Sequence, residues 1–343
     1  MKSEQRKVHM NSNTLSTEVL FKRLETLANH SLSLWGMVPE NATARLINVS
    51  ENVTYLVEAR GWKSVLRLHR ENYHTKTAIN CELSWSAALN RGNIIATPDF
   101  YLGRDGEAVQ SAVTEGLPAP RHMAMFHFVE GSQPDENKNL EVHFEELGEI
   151  AARMHTHAIS WIRPEPFERP RWDLETIFGT DATWGNWRDA PNVTVDIRKI
   201  LQRAEDSVIK RLTMFGQSTE QYGLIHADMR LANLIVGDTG THIIDFDDCG
   251  MGWFLYDFAA GISFIEDHPG TSMLKSAWVK GYRKIRALSD SEFDEIDTFI
   301  MLRRLALLAW VGSHVEAPEA RALAMDFARI SAQLAKEYVR KFG

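Results

Sequence analysis

The hydrophobic period changes once along this chain, near residue 130, and that change constrains the fold more than any other feature. Before it, the apolar residues come in short runs. Ala44 to Val49 and Thr54 to Ala59 are β-type stretches separated by the polar Ser50-Glu51-Asn52, and a turn at Arg60-Gly61 leads to a third run, Ser64 to Leu68. Three such runs joined by tight turns specify an antiparallel meander. A helix over residues 16–29, beginning at Ser16, carries Val19, Leu20, Leu24 and Leu27 at helical spacing. A second helix, Thr75 to Leu89, carries Ile79, Leu83 and Ala87 on one stripe and stops at Arg91-Gly92-Asn93. Strands near 108–114 and 122–129 complete a five-stranded sheet with one inserted helix. After the polar Gly131-Ser-Gln-Pro134 the period becomes helical, over 144–157, 194–214, 293–314 and 318–341. Residues 160–192, rich in Pro, Trp and Arg, show no clear period. The expected fold class is α+β: a β-rich lobe over residues 1–130 and a larger helical lobe over 131–343.

Bulk properties narrow the function. A formal net charge of −8 gives no general attraction to nucleic acid or to an anionic membrane. No stretch approaches the roughly 18 apolar residues of a membrane span. The two cysteines, Cys81 and Cys249, make neither a disulfide framework nor a four-ligand zinc site, which suits a reducing compartment. The polar stretch Met1 to Met10 lacks the apolar run of a signal peptide. The expectation is a cytoplasmic protein.

The segment richest in chemistry is Leu224 to Asp257. It contains His226-Ala-Asp228, Asn233 and Asp245-Phe-Asp247, with the β-type runs Asn233–Val236 and Thr241–Ile244 flanking a hairpin turn at 237–240. Pairing those runs brings the Asn233 amide and the Asp245 carboxylate to one end of the ribbon, and Asp228 sits on the loop just before. Hard oxygen ligands of this kind suit Mg²⁺ with phosphates. Phosphoryl transfer asks the protein for little more than metal, positioning and a carboxylate to orient a hydroxyl. Taken singly, each of these residues reads first as a polar turn residue.

The ordered set His-x-Asp-x4-Asn followed by Asp-Phe-Asp resembles the catalytic and metal loops of the protein-kinase-like superfamily. It is most similar to the aminoglycoside phosphotransferase and choline kinase family of small-molecule kinases. The resemblance follows element order along nearly the whole chain, but its specific motifs lie within residues 226–257. It implies a bilobal kinase-like fold, ATP and Mg²⁺ as cofactors, and a small-molecule hydroxyl as acceptor. It implies Asp228 as catalytic base, Asn233 and Asp245 as Mg²⁺ ligands, His226 packed beneath the metal loop, and Asp257 as a brace for the catalytic loop. Ala227 stands where the family commonly has Gly. In the first lobe the same resemblance puts Ser50 and Asn52 in a phosphate-covering loop and Phe126, Phe128 and Val129 in an adenine-reading hinge. It also puts Arg67, paired with Glu82, where the family has a phosphate-holding Lys. The absence of a Gly-x-Gly-x-x-Gly loop and the short span from Asp245 to Asp257 set the chain apart from protein kinases. A catalytically inactive, nucleotide-binding pseudokinase is the alternative.

The acceptor side of similar enzymes comes from the segment before the catalytic loop and from C-terminal helices. By that resemblance Trp184, Trp187 and Asp189, beside Arg188, are substrate-side candidates, with packing of an irregular loop as their other reading. Arg230 and Arg304 read first as ordinary helix or loop charges, with contact to a phosphate or carboxylate second. His155 and His157 diverge on a helix and read as structural. The long C-terminal helices offer apolar faces that a second copy, in a homodimer, can bury.

Overall fold

The computed structural model describes residues 17–50, 52–117, 119–135, 138–238, 240–315 and 317–343. Ser16, the polar N-terminal stretch and Glu51 lie outside the described residues. Two compact units make up the chain. One takes in the described residues up to Leu83 together with Pro98–Phe128; the other comprises Ser84–Thr97 and Val129–Gly343.

In the first unit α1 (Thr17–Ser31) leads to β1 (Thr43–Val49), β2 (Val53–Ala59) and β3 (Trp62–Leu68), then α2 (Lys76–Arg91), whose residues from Ser84 onward belong to the second unit, and β4 (Phe100–Tyr101), β5 (Gln110–Ala112) and β6 (Arg121–His127). The sheet order is β1-β2-β3-β6-β4, with β5 also on β6, and every pairing is antiparallel. The sheet therefore has six strands rather than the expected five, the extra one being the two-residue β4. Alternation along the strands turns Tyr55, Val57, Leu66, Leu68, Met123 and Met125 onto Leu24, Leu27 and Ala28 of α1 and Trp35. On the other side, Ile79 and Leu83 of α2 bury against Val109 and Ala124. Arg67 pairs with Thr54 on one side and Ala124 on the other, so it occupies a central strand. Asn93, just past α2, takes a left-handed φ of 51°, the turn that ends the helix.

The second unit runs α3 (Leu140–Ser160), β7 (Arg171–Trp172), α4 (Leu174–Phe178), α5 (Val195–Phe215), β8 (Tyr222–Ile225), β9 (Leu234–Gly237), β10 (Gly240–Ile243) and β11 (Gly250–Trp253). It continues with α6 (Tyr256–Gly261), α7 (Thr271–Tyr282), α8 (Asp290–Ser313), α9 (Pro318–Leu323) and α10 (Phe327–Phe342). The amphipathic run 318–341 is thus two helices, not one. The irregular segment 160–192 contributes β7, α4 and the 3-10 turn Trp187–Asp189. α3 and α7 pack at backbone distance, because a Cβ on Gly148 would fall on the Trp278 carbonyl and one on Gly281 on the Glu145 carbonyl. α8 is buried along most of its length, with Phe299, Leu302, Leu305 and Leu308 in the main core. β8, β11 and β7 form a three-stranded sheet and β9–β10 a hairpin. No helix among the described residues is long and apolar enough to cross a membrane.

Candidate active site

β8 delivers the chain to His226, and a 3-10 turn at Leu231–Asn233 returns it into β9. The hairpin register pairs Leu234 with Ile243, and the Ile244 N–H donates to the Asn233 carbonyl at 3.0 Å. Asn233 and Asp245 therefore stand at the same end of the ribbon.

A single imidazole joins the two loops. His226 Nδ1 accepts from the Asp228 N–H at 3.2 Å, so its proton is on Nε2, which donates to the Ile244 carbonyl at 3.1 Å. The buried carboxylate of Asp257, at the start of α6, fixes the loop from behind. Its Oδ1 accepts from the Ala227 N–H at 2.7 Å, and its Oδ2 accepts from the His226 N–H at 3.1 Å and from His155 Nε2 at 2.9 Å. His155 Nδ1 in turn accepts from the Tyr282 hydroxyl at 3.0 Å. Burial pushes the His155 imidazole below its ordinary value despite Asp257, so the ring is neutral and structural. Ala227 and Asp245 both take left-handed φ values, 66° and 61°. Non-glycine residues there carry about 1–3 kcal/mol of strain, of the kind that gathers at functional sites.

The Asp228 carboxylate is gripped on both oxygens. Oδ1 accepts from Arg230 Nε at 3.2 Å and from Arg303 Nη2 at 3.3 Å, and Oδ2 accepts from Asn233 Nδ2 at 2.8 Å. Burial alone would raise its pKa, but the Arg230 and Arg303 guanidiniums outweigh burial and hold the group below the usual carboxylate range. Asp228 is therefore ionised at neutral pH and able to accept a further hydrogen bond. Arg230 also reaches Glu319 Oε1 on α9 at 3.4 Å and lies 5.3 Å from the centre of the Phe264 ring.

Because the Asn233 amide nitrogen is spent on Asp228, its oxygen remains the atom for a cation. Asp245 adds an exposed carboxylate. Among the described residues there is no group of three or more His, Cys, Asp and Glu able to hold a metal ion. The donor set fits Mg²⁺, which takes one or two protein oxygens and completes its shell with water and phosphate.

The other sequence candidates separate. Trp184 is buried under the Arg303 guanidinium, 5.1 Å from ring centre to the guanidinium carbon, and so belongs to the Asp228 cluster. Trp187 faces Glu205, to which its indole N–H donates, and Arg188 pairs with the same carboxylate at 2.8 Å. The Asp189 N–H closes the turn on the Asn186 carbonyl at 3.0 Å. Arg304 is closed off by Glu266 at 2.6 Å and Ser331 at 2.8 Å. In the first unit, Arg67 Nη2 meets Glu82 Oε1 at 2.6 Å in a buried pair, 5.1 Å from the centre of the Phe126 ring. Asn52 Oδ1 accepts from the Arg70 N–H at 3.1 Å, while Ser50 is exposed. Phe128 ends the first unit, under Lys63 at 4.9 Å, and Val129 belongs to the second.

Sequence reasoning missed Arg303, Tyr256 and Glu319. The signal for Arg303 was two adjacent arginines inside the apolar run Met301 to Trp310, since buried guanidiniums demand buried partners.

A family model described as "Phosphotransferase enzyme family" matches residues 43–291. A microcompartment-associated aminopropanol kinase of known structure is 41% identical, with a TM-score of 0.85 over 92% of this chain and 98% of that one. Amicoumacin kinase of Bacillus subtilis (strain 168) is 26% identical over 275 residues, 77% of this chain and 78% of that protein. The structure of amicoumacin kinase hAmiN in complex with AMP-PNP, Ca²⁺ and Ami has a TM-score of 0.72 at 23% identity, over 95% of this chain and 94% of that one, a likeness of fold.

Proposed function

The chain belongs to the phosphotransferase enzyme family and is a small-molecule kinase, and from that premise we propose that it moves the γ-phosphoryl group of ATP to the hydroxyl of a small amino alcohol. The observation that carries this reading is the Asp228 carboxylate, ionised and held on both oxygens beside Asn233. Asp228 accepts a hydrogen bond from the acceptor hydroxyl and aims its oxygen at the γ-phosphorus. As the new O–P bond forms and the bond to the bridging oxygen of ADP breaks, the hydroxyl proton passes to Asp228 and then to solvent. Arg230, at the edge of the cluster, offsets charge on the phosphoryl oxygens. A divalent cation held by the Asn233 oxygen and Asp245, Mg²⁺ by its chemistry, supplies charge neutralisation at the phosphates when bound. Nucleotide binding by residues 1–130 and catalysis by 131–343 are part of the same proposal. In the first segment Arg67, steadied by Glu82, takes the phosphates, Ser50 and Asn52 shape the covering loop, and the backbone at Phe126, Phe128 and Val129 meets adenine.

Two features support an amino alcohol. The 41%-identical relative is an aminopropanol kinase. The second is Glu319, which shares Arg230 with Asp228 and so lies no more than about 9 Å from it, given ordinary hydrogen-bond lengths. A short chain with a hydroxyl at one end and an ammonium at the other spans that gap. Glu319→Gln should raise the acceptor KM about five-fold, the ~1 kcal/mol of a partly exposed charge pair, and leave the KM of the matching uncharged diol unchanged. An equal effect on both would remove Glu319 from the acceptor site. Asp245→Ala should weaken Mg²⁺-dependent nucleotide binding by at least about ten-fold, read by metal titration with ATP present; an unaltered titration would exclude Asp245 as a ligand. The reading as a whole is tested by ADP release from Mg·ATP across amino alcohols, diols and sugars. Stimulation by amino alcohols is expected, and stimulation by sugars alone would reject the class.

A further inference from the structure

α8 is an apolar helix with two adjacent guanidiniums buried in it, and only one of them points at the Asp228 cluster. Arg304 ends on Glu266 and Ser331, a closed pair within the fold. Arg303 is 3% exposed, and each of its nitrogens has a different partner. Nε donates to Ser263 Oγ at 3.2 Å, Nη1 to the Tyr256 hydroxyl at 3.2 Å, and Nη2 to Asp228 Oδ1 at 3.3 Å, while the Trp184 ring covers one side.

Burying a cation is expensive, and an apolar side chain of similar volume commonly serves stability as well or better. Packing therefore gives no reason for a charge at this point of α8; its geometry does. Tyr256 and Ser263 hold the planar fork in one orientation, and the fork presents its remaining nitrogen to one oxygen of Asp228. Asn233 holds the other oxygen at 2.8 Å. Arg230 Nε meets the same Oδ1 at 3.2 Å, but from a half-buried side chain at the edge of the cluster. The buried fork of Arg303 and the Asn233 amide hold the two oxygens from within the fold, against rotation about a terminal torsion that is otherwise broad.

We propose that Arg303 is a positioning residue for phosphoryl transfer, fixing the rotamer of the Asp228 carboxylate from behind so that its outward lone pair meets the acceptor hydroxyl. The inference rests on the reading of Asp228 as base. α6 then braces the catalytic loop twice: Asp257 holds the backbone at 226 and 227, and Tyr256, through Arg303, holds the side chain at 228. Lysine does not replace this arginine, because a single ammonium cannot hold the same planar set of three partners.

The test is a double-mutant cycle with Mg·ATP and an amino alcohol, read as kcat and as KM for each substrate. Arg303→Lys should lower kcat about 10²-fold, the scale of a misplaced reacting group, with the KM for ATP within about two-fold of wild type. In an Asp228→Asn background, Arg303→Lys should cost less than about two-fold more, since its effect runs through the group already removed. Arg304→Lys serves as control, lowering the melting temperature with kcat retained. Wild-type kcat in folded Arg303→Lys, or losses that multiply in the double variant, would overturn the proposal. If Arg303→Lys does not fold, Tyr256→Phe decides: it removes one anchor of the fork and should lower kcat several-fold, and an unchanged kcat would overturn the proposal equally. Full activity in Asp228→Asn would instead reject the base on which the inference rests.

Discussion

Asp228→Asn lowers kcat by about 10³-fold, within the 10²–10⁴ range of a lost general base, while Mg·ATP affinity stays within about two-fold. The substitution keeps the volume, and its amide oxygen can still accept from Asn233 Nδ2, the 2.8 Å bond of the native loop, while its NH₂ replaces the oxygen that accepted from Arg230 and Arg303. What disappears is the negative charge between Arg230 and Arg303 that accepts the hydroxyl proton. The proposed cation ligands, Asn233 and Asp245, are not themselves substituted. Rapid-quench turnover and equilibrium nucleotide binding check the two halves separately. A variant that loses both has lost its fold rather than its base, and one that keeps kcat excludes Asp228 from the chemistry.

Asp257→Asn costs about 3–5 kcal/mol of stability, the scale for breaking a buried, charge-assisted network, and lowers kcat with it. The native carboxylate is fully buried and, among the described residues, meets three donors and no acceptor: the N–H groups of His226 and Ala227 and His155 Nε2. Asparagine fits the volume but turns an NH₂ toward at least one of those donors, whichever way its amide is set. Released from that carboxylate, the 226–228 backbone leaves Ala227 no reason to remain at φ 66°. Calorimetry should place the melting temperature roughly 4–7 °C below wild type. A melting temperature and kcat close to wild type would mean that Asp257 braces nothing.

The parts of this molecule written in local spacing are legible in the sequence. The alternation at 44–68 gives β1 to β3, and the stripe Leu147, Ile150, Ala151 and Met154 gives the middle of α3. The order Asp228, Asn233, Asp245 needs only a hairpin to come together, and β9–β10 is that hairpin. Other elements exist for tertiary reasons. β8 and β11 carry Gly223, Gly250 and Gly252, poor strand formers. Glycine is needed at 250 because a Cβ there would stand 2.5 Å from the Pro170 carbonyl. β4 is two residues long, too short for any alternation to register. The break between α9 and α10 falls at Ala324-Met325-Asp326, where no Gly or Pro interrupts the amphipathic pattern. Arg303 reaches Asp228 across 75 positions of sequence, and no local pattern encodes that meeting. By contrast, the partnership of Arg67 with Glu82 was implied by the family resemblance, and the burial of the pair was not.

The most direct measurement follows the γ-phosphoryl group itself. The protein is incubated with Mg²⁺, γ-labelled ATP and aminopropanol, and the product is examined by phosphorus NMR and mass spectrometry, with Asp228→Asn alongside. The account predicts a phosphate ester on the hydroxyl oxygen, formed in step with ADP and nearly absent in the variant. Label appearing only as inorganic phosphate whatever acceptor is supplied, or an ester formed equally well by Asp228→Asn, would contradict it.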